Sequence, residues 1–130
     1  MLHPNQFIVN EAWIIFRINE APIQTGVDGC FNCLALMDAA SCFILGSEFI
    51  PATEKEPTEL EVRRLLKQGE NHKQQLPKAI FLQHEQACAS ITRVAGKQGI
   101  TVEQVSERDL LIFIGEARDG FQERFGKGKA

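Results

Sequence analysis

The apolar positions of this chain fall first into short β-branched runs and then into helical stripes. Trp13-Ile14-Ile15-Phe16-Arg17-Ile18 is nearly unbroken in its apolar character and predicts a strand. Residues 21–29 hold Pro22, Gly26 and Asp28-Gly29, which predict a turn. Residues 30–37 predict a second strand. Asp38-Ala39-Ala40-Ser41 predicts a short connection, with Asp at the first turn position. Residues 42–50 predict a third strand, stopped by Pro51. Three strands joined by short links predict an antiparallel meander.

The period then changes. Thr58 and Glu61 have the T-x-x-E spacing of a capping box, which opens a helix through about residue 68 or beyond. Leu60, Leu65 and Leu66, with Val62 nearby, supply its apolar side. A polar connection, residues 69–75, leads to Leu76-Pro77-Lys78-Ala79-Ile80-Phe81-Leu82. There residues 79–82 predict a strand running beside the first. A short helix is expected over about residues 85–98, with Gly99 where a C-cap glycine stands. Residues 100–105 alternate polar and apolar, as an outer strand does. Ser106 and Asp109 cap a last helix, residues 107–125, with Leu110, Phe113, Ile114, Ala117, Phe121 and Phe125 at core-facing spacing. Leu111 and Ile112 widen its apolar surface, which suits a helix buried on two sides or a dimer contact. The order is β-β-β-α-β-α-β-α: an α/β fold with a mixed five-stranded sheet and helices on both faces.

Length and composition narrow the class. The chain has 130 residues, enough for one domain over residues 1–130 with an ordered core of about residues 8–125 and short flexible ends. With 44% hydrophobic and 24% charged residues, it reads as a soluble globular protein. No apolar run approaches the roughly 18 residues of a membrane span. The N-terminus lacks the basic and apolar regions of an export signal, so the cytoplasm is the expected compartment. A net charge of −3, with basic residues scattered singly or in pairs such as Arg63-Arg64, disfavours a nucleic-acid partner. Lys127 and Lys129 fall in a glycine-rich tail expected to fray.

Four cysteines raise the question of metal. Cys30-Phe31-Asn32-Cys33 has C-x-x-C spacing, but on a strand its two thiols face opposite sides. No second pair follows at zinc-ribbon spacing, so small buried hydrophobes are the expected role. Structural disulfides are not expected in a reducing compartment. Asp38 and Ser41 read as turn stabilisation. His3 and His72 fall in segments expected to be flexible and solvated. Gly26-Val27-Asp28-Gly29 has neither the length nor the Lys of a phosphate loop.

The stretch Leu34-Ala35-Leu36-Met37-Asp38-Ala39-Ala40-Ser41-Cys42-Phe43-Ile44-Leu45-Gly46 resembles the second and third strands of retroviral and transposon integrase cores. Phe49-Ile50-Pro51-Ala52-Thr53, the following helix, the Leu76 stretch and the Trp13 strand continue that likeness over residues 12–125. The resemblance implies the ribonuclease H-like fold. It also implies a site in which carboxylates from the first strand, the fourth strand of that fold and a late helix hold two divalent metal ions on a phosphodiester. Magnesium takes hard oxygen ligands. Here the first-strand position falls near Phe16, with Arg17 beside it. The fourth-strand position falls on Gln83 or His84, with Glu85 one or two residues late. Glu116 and Asp119 offer acidic character on the last helix.

The expected function is therefore a non-catalytic ribonuclease H-like domain acting as an interaction or regulatory module. It would have no cofactor, an unknown protein partner, and a homodimer contact through the last helix or a strand edge. The alternative is a divergent metal-dependent hydrolase or nuclease using Mg or Mn with His84, Glu85, Glu116 or Asp119. Gln83-His84-Glu85 also reads as the polar start of a helix, and that reading is preferred. For Arg17, pairing within the structure comes first, before reaching to an edge or binding an anionic ligand.

Overall fold

A computed structural model describes residues 2–26, 29–84, 86 and 88–126. Outside them fall Glu85, Val27 and Asp28 of the expected turn, and Lys127 and Lys129; of Phe125 only the backbone is described. The strands are β1 (Ala12–Arg17), β2 (Ile23–Thr25), β3 (Gly29–Asp38), β4 (Ile44–Pro51), β5 (Ala79–Gln83) and β6 (Thr101–Val105). The helices are α1 (Glu59–Lys73), α2 (Ala89–Lys97) and α3 (Glu107–Phe121), the last continued by one π-helical turn, Gln122–Gly126.

The sheet is mixed, as the order of elements predicts. β3 pairs antiparallel with β1 on one edge and with β4 on the other. β1 pairs parallel with β5, and β5 parallel with β6. The sheet holds six strands rather than five. Ile23–Thr25, within the expected turn, adds to β3 at Gly29–Phe31 beyond the end of β1. The reason is geometric: β3 is 10 residues long and outruns the 6-residue β1, leaving backbone groups that need partners.

β1 sits between β3 and β5, and its first five residues are buried. Period-two alternation divides them between two cores. Trp13 and Ile15 face α1 and α2, packing with Leu36, Leu65, Leu66, Ile91 and Val94. Ala12, Ile14 and Phe16 face α3, packing with Met37, Leu110, Phe113 and Ile114. Helices thus cover both faces, and burial on both sides explains why β1 reads as continuous apolar sequence.

The helix starts follow the sequence. Thr58 Oγ1 accepts from the Glu61 amide at 3.2 Å, and the Glu61 carboxylate accepts from the Thr58 amide at 2.8 Å, completing the capping box. Ser106 caps α3 through the Asp109 amide at 3.3 Å. α1 continues through the segment expected as a polar connection, ending at Gln74 in the left-handed conformation. Gly69 inside it is buried, and a Cβ there would stand 2.7 Å from Trp13 Cη2 and 2.6 Å from Leu36 Cδ2. The polar stretch is therefore helix pressed against the sheet. α2 is shorter than expected and begins at Ala89. Leu60, read as apolar helix face, is exposed.

The Asp38 turn holds as expected and reaches further. Asp38 is fully buried; its Oδ2 accepts from the Ser41 amide at 2.9 Å and hydroxyl at 2.7 Å. Its Oδ1 accepts from the Asn10 amide at 2.6 Å, and Asn10 Oδ1 accepts from the Trp13 indole at 2.7 Å. Cys33 is buried as expected but Cys30 is exposed, because the first residues of β3 project past the core. His3 and His72 are exposed, as expected, and each also makes a local contact. His3 Nδ1 accepts from the Asn5 amide at 3.1 Å, and His72 stacks on Phe43 at 5.2 Å between ring centroids. No helix among the described residues is long and apolar enough to cross a membrane.

Candidate functional site

A cavity of about 470 Å³ opens where β1 and β5 end, within the size range of small-molecule sites. β1 delivers Arg17, and the residues after it deliver Asn19 and Glu20. Arg17 lies two and four residues after Ile15 and Trp13, so strand alternation carries it to their face just past the core. Leu34 of β3 and Ile50 of β4 supply apolar wall. The loop after β4 contributes Glu54, Lys55 and Pro57; the end of β5 contributes Gln83 and then Gln86; α3 contributes Glu107 and Arg118.

Hydrogen bonds fix this rim. Ser90 at the start of α2 donates its hydroxyl to the Pro57 carbonyl at 2.6 Å, and its amide donates to Glu56 at 3.3 Å. Asn19 is buried, accepting from the Cys33 amide at 2.8 Å and donating to Asn32 Oδ1 at 3.0 Å. Arg118 donates through Nε to the Arg17 carbonyl at 3.1 Å and through Nη1 to Glu107 at 3.2 Å. Its guanidinium carbon lies 5.9 Å from the Phe16 ring centroid.

Two polar atoms on the wall lack partners. Gln86 Nε2 is buried with no hydrogen bond among the described residues, and Glu54 Oε2 is buried with no N–H or hydroxyl donor there, its carboxyl lying beside that of Glu61. An orphaned buried group of this kind costs about 1–3 kcal/mol. Burial, then the nearby Glu61 charge and a hydrogen bond to Glu61, push the Glu54 carboxyl above its ordinary value. Arg17 donates to the Glu20 carbonyl at 3.3 Å. Neither it nor Lys55 has a carboxylate within ion-pair distance among the described residues.

The residues singled out from sequence lie elsewhere. His84 is exposed; its amide donates to the Val105 carbonyl at 2.9 Å, and its carbonyl accepts from Gln104 at 3.2 Å. Glu116 and Asp119 are exposed on α3. The Glu116 charge is felt at Cys42, whose thiol is pushed up by burial first, then by Asp38 and Glu116. Glu85 lies outside the described residues. None of His84, Glu116 and Asp119 lines the cavity, and no group of three or more His, Cys, Asp or Glu among the described residues is placed to hold a metal ion. Acidic character drew attention to Glu116 and Asp119. A helical-spacing criterion finds Arg118 instead, four residues after buried Ile114. Glu54 and Gln86 carry no such signal, because loop geometry alone brings them to one wall.

The architecture is the ribonuclease H-like fold, in the form found in retroviral integrase catalytic cores. No protein-family profile matches the sequence, and no curated protein matches it. Solved structures do match. The chain aligns with the structure of the simian T-cell lymphotropic virus intasome in complex with PP2A regulatory subunit B56 gamma, with TM-score 0.60 and 13% identity, over 88% of this chain and 39% of that one. With the catalytic core domain of BIV integrase the TM-score is 0.58 at 13% identity, over 93% and 74%. With the HTLV-2 integrase catalytic core domain in complex with magnesium, in a dimeric form, it is 0.51 at 13% identity, over 89% and 86%.

Proposed function

We propose that this chain is a non-catalytic ribonuclease H-like domain, one domain over residues 1–130, acting as an interaction or regulatory module. The observation that carries this reading is the pair of arginines at the cavity, Arg17 at the end of β1 and Arg118 on α3. With Gln83 at the end of β5, they line the ground where the resemblance to integrase cores calls for metal-binding carboxylates. Two guanidinium groups repel a divalent cation, and an amide offers one neutral oxygen where Mg²⁺ or Mn²⁺ wants charged ones. The cavity's carboxylates, Glu20, Glu54 and Glu107, form no cluster placed to hold a metal ion among the described residues, and no step is routed through a two-metal centre.

Contact with a partner has two supports. Leu111 and Ile112 are about half exposed side by side on α3, a surface suited to a homodimer or another protein. One structural neighbour is a dimeric integrase core, and another comes from an assembly with a protein subunit. Four free cysteines fit a reducing, cytoplasmic setting.

Thermal melting with and without Mg²⁺ or Mn²⁺, paired with cleavage assays on labelled DNA and RNA, tests the reading. The expected result is no metal-specific rise in Tm and no cleavage. A rise in the wild type that Glu85→Ala abolishes overturns it in favour of a divergent metal-dependent hydrolase. Gel filtration with light scattering tests the dimer, and a clean monomer ends that part of the proposal.

A further inference from the structure

The cavity at the ends of β1 and β5 has features that a degenerate metal site does not require. Its charges balance: Arg17, Lys55 and Arg118 stand against Glu20, Glu54 and Glu107. A polyanion such as a nucleic-acid strand would meet three carboxylates there, and a divalent cation would meet three cationic side chains. A small ligand with both signs of charge meets neither penalty.

Its polar groups are unequally used. Arg118 is engaged by Glu107 and by the Arg17 carbonyl. Arg17 and Lys55 have no carboxylate partner among the described residues, which leaves positive charge available on the rim. Glu54 Oε2 is a buried acceptor without a donor, and Gln86 Nε2 a buried donor without an acceptor. The apolar part of the lining is Leu34, Ile50 and Pro57. A matching ligand presents an anionic oxygen pair, an N–H-bearing cation and an apolar body.

We propose that this cavity binds a zwitterion of the free α-amino acid class. The carboxylate faces Arg17 and Lys55, where planar guanidinium geometry suits two oxygens. The ammonium donates to Glu54 Oε2, and Gln86 Nε2 donates to an oxygen of the ligand. The side chain lies on Leu34, Ile50 and Pro57. This assignment rests on the non-catalytic reading of the same cavity and makes the domain a sensor of a small metabolite.

The probes are the standard L-α-amino acids, each added separately at millimolar concentration, with the melting temperature of the full chain as readout. At least one with an apolar side chain is expected to raise Tm by several degrees, since a ligand that binds only the folded state stabilises it. Its des-amino acid and its decarboxylated amine, each carrying one of the two charges, are expected to give no shift. Arg17→Met and Glu54→Gln are expected to abolish the shift, while Arg63→Met, away from the cavity, keeps it. The proposal is overturned if no amino acid shifts Tm, if the des-amino acid works as well as the parent, or if the shift survives in Arg17→Met. Arg17 is exposed, so that variant decides the matter even if Glu54→Gln does not fold. A Mg²⁺ or Mn²⁺ shift measured alongside bears on the non-catalytic reading alone, so the two failures are separable.

Discussion

Arg118 on α3 donates through Nε to the carbonyl oxygen of Arg17, 3.1 Å away and 101 positions earlier in the chain. One side chain thus ties the last helix to the final residue of the central strand β1. It also pairs with Glu107 and lies over the Phe16 ring. Arg118→Met keeps the apolar stem and removes all three interactions. The ion pair contributes little, because Glu107 is half exposed. The hydrogen bond and the ring contact together contribute about 1–3 kcal/mol. Chemical denaturation should show that loss, and Arg118→Lys should recover little of it, since an ammonium lacks the fork that reaches both partners. Full recovery by Lys would mean that charge alone matters.

Gly69 lies inside α1, where an alanine would ordinarily be better by about 1 kcal/mol. Here a Cβ would approach the Trp13 ring to 2.7 Å and Leu36 Cδ2 to 2.6 Å. Both neighbours are fully buried and cannot swing away. Overpacking of this kind costs about 1–3 kcal/mol, which exceeds or cancels the gain in propensity. Gly69→Ala is expected to lower Tm, whereas Gly96→Ala, with open space around it, should leave it unchanged or raise it. Higher stability in Gly69→Ala would show that α1 can lift off the sheet without cost.

The two helix starts at Thr58 and Ser106 were legible because capping is local: donor and acceptor lie three residues apart. The strand order was legible because β1 is apolar on both faces and therefore central. β2 was not, since Ile23–Thr25 is a strand only because the longer β3 overhangs β1. The extra turns of α1 were hidden by polar residues that face solvent around a buried glycine. The cavity was half legible. Arg17 stood out as a charge ending an apolar strand, and the end of β5 was marked by its switch to polar residues. Arg118 carries no such mark between acidic Glu116 and Asp119, and Glu54 and Gln86 belong to segments 32 positions apart that meet only in the folded chain.

Asp38 holds three donors with two oxygens: the Asn10 amide, the Ser41 amide and the Ser41 hydroxyl. It is fully buried, and the Asn10 it fixes in turn receives the Trp13 indole. Asp38→Ala leaves the part-buried Asn10 amide without its acceptor, at a cost of about 1–3 kcal/mol, while the amide of exposed Ser41 can turn to water. A loss of about 2–3 kcal/mol is expected in urea unfolding. Ser41→Ala removes only the hydroxyl and should lose about 1 kcal/mol. Equal losses in the two variants would place the role of Asp38 in the turn alone, with no part for Asn10.

Glu54 gives the fold a pH dependence whose sign is fixed. Burial and the neighbouring Glu61 raise its carboxyl above the ordinary value, so the folded state holds the proton more tightly than the unfolded chain. Its contribution to stability is complete below the unfolded value of about 4.3 and is lost as pH rises through the higher folded value. Glu54→Gln cannot ionise and does not follow that loss. The variant should match or fall below the wild type near pH 4 and gain on it as the solution approaches neutrality. Melting curves of the wild type and the variant across that range read the difference directly. A Tm gap that stays flat with pH would mean that Glu54 titrates alike in the folded and unfolded chains, and that its buried oxygen is reached by water.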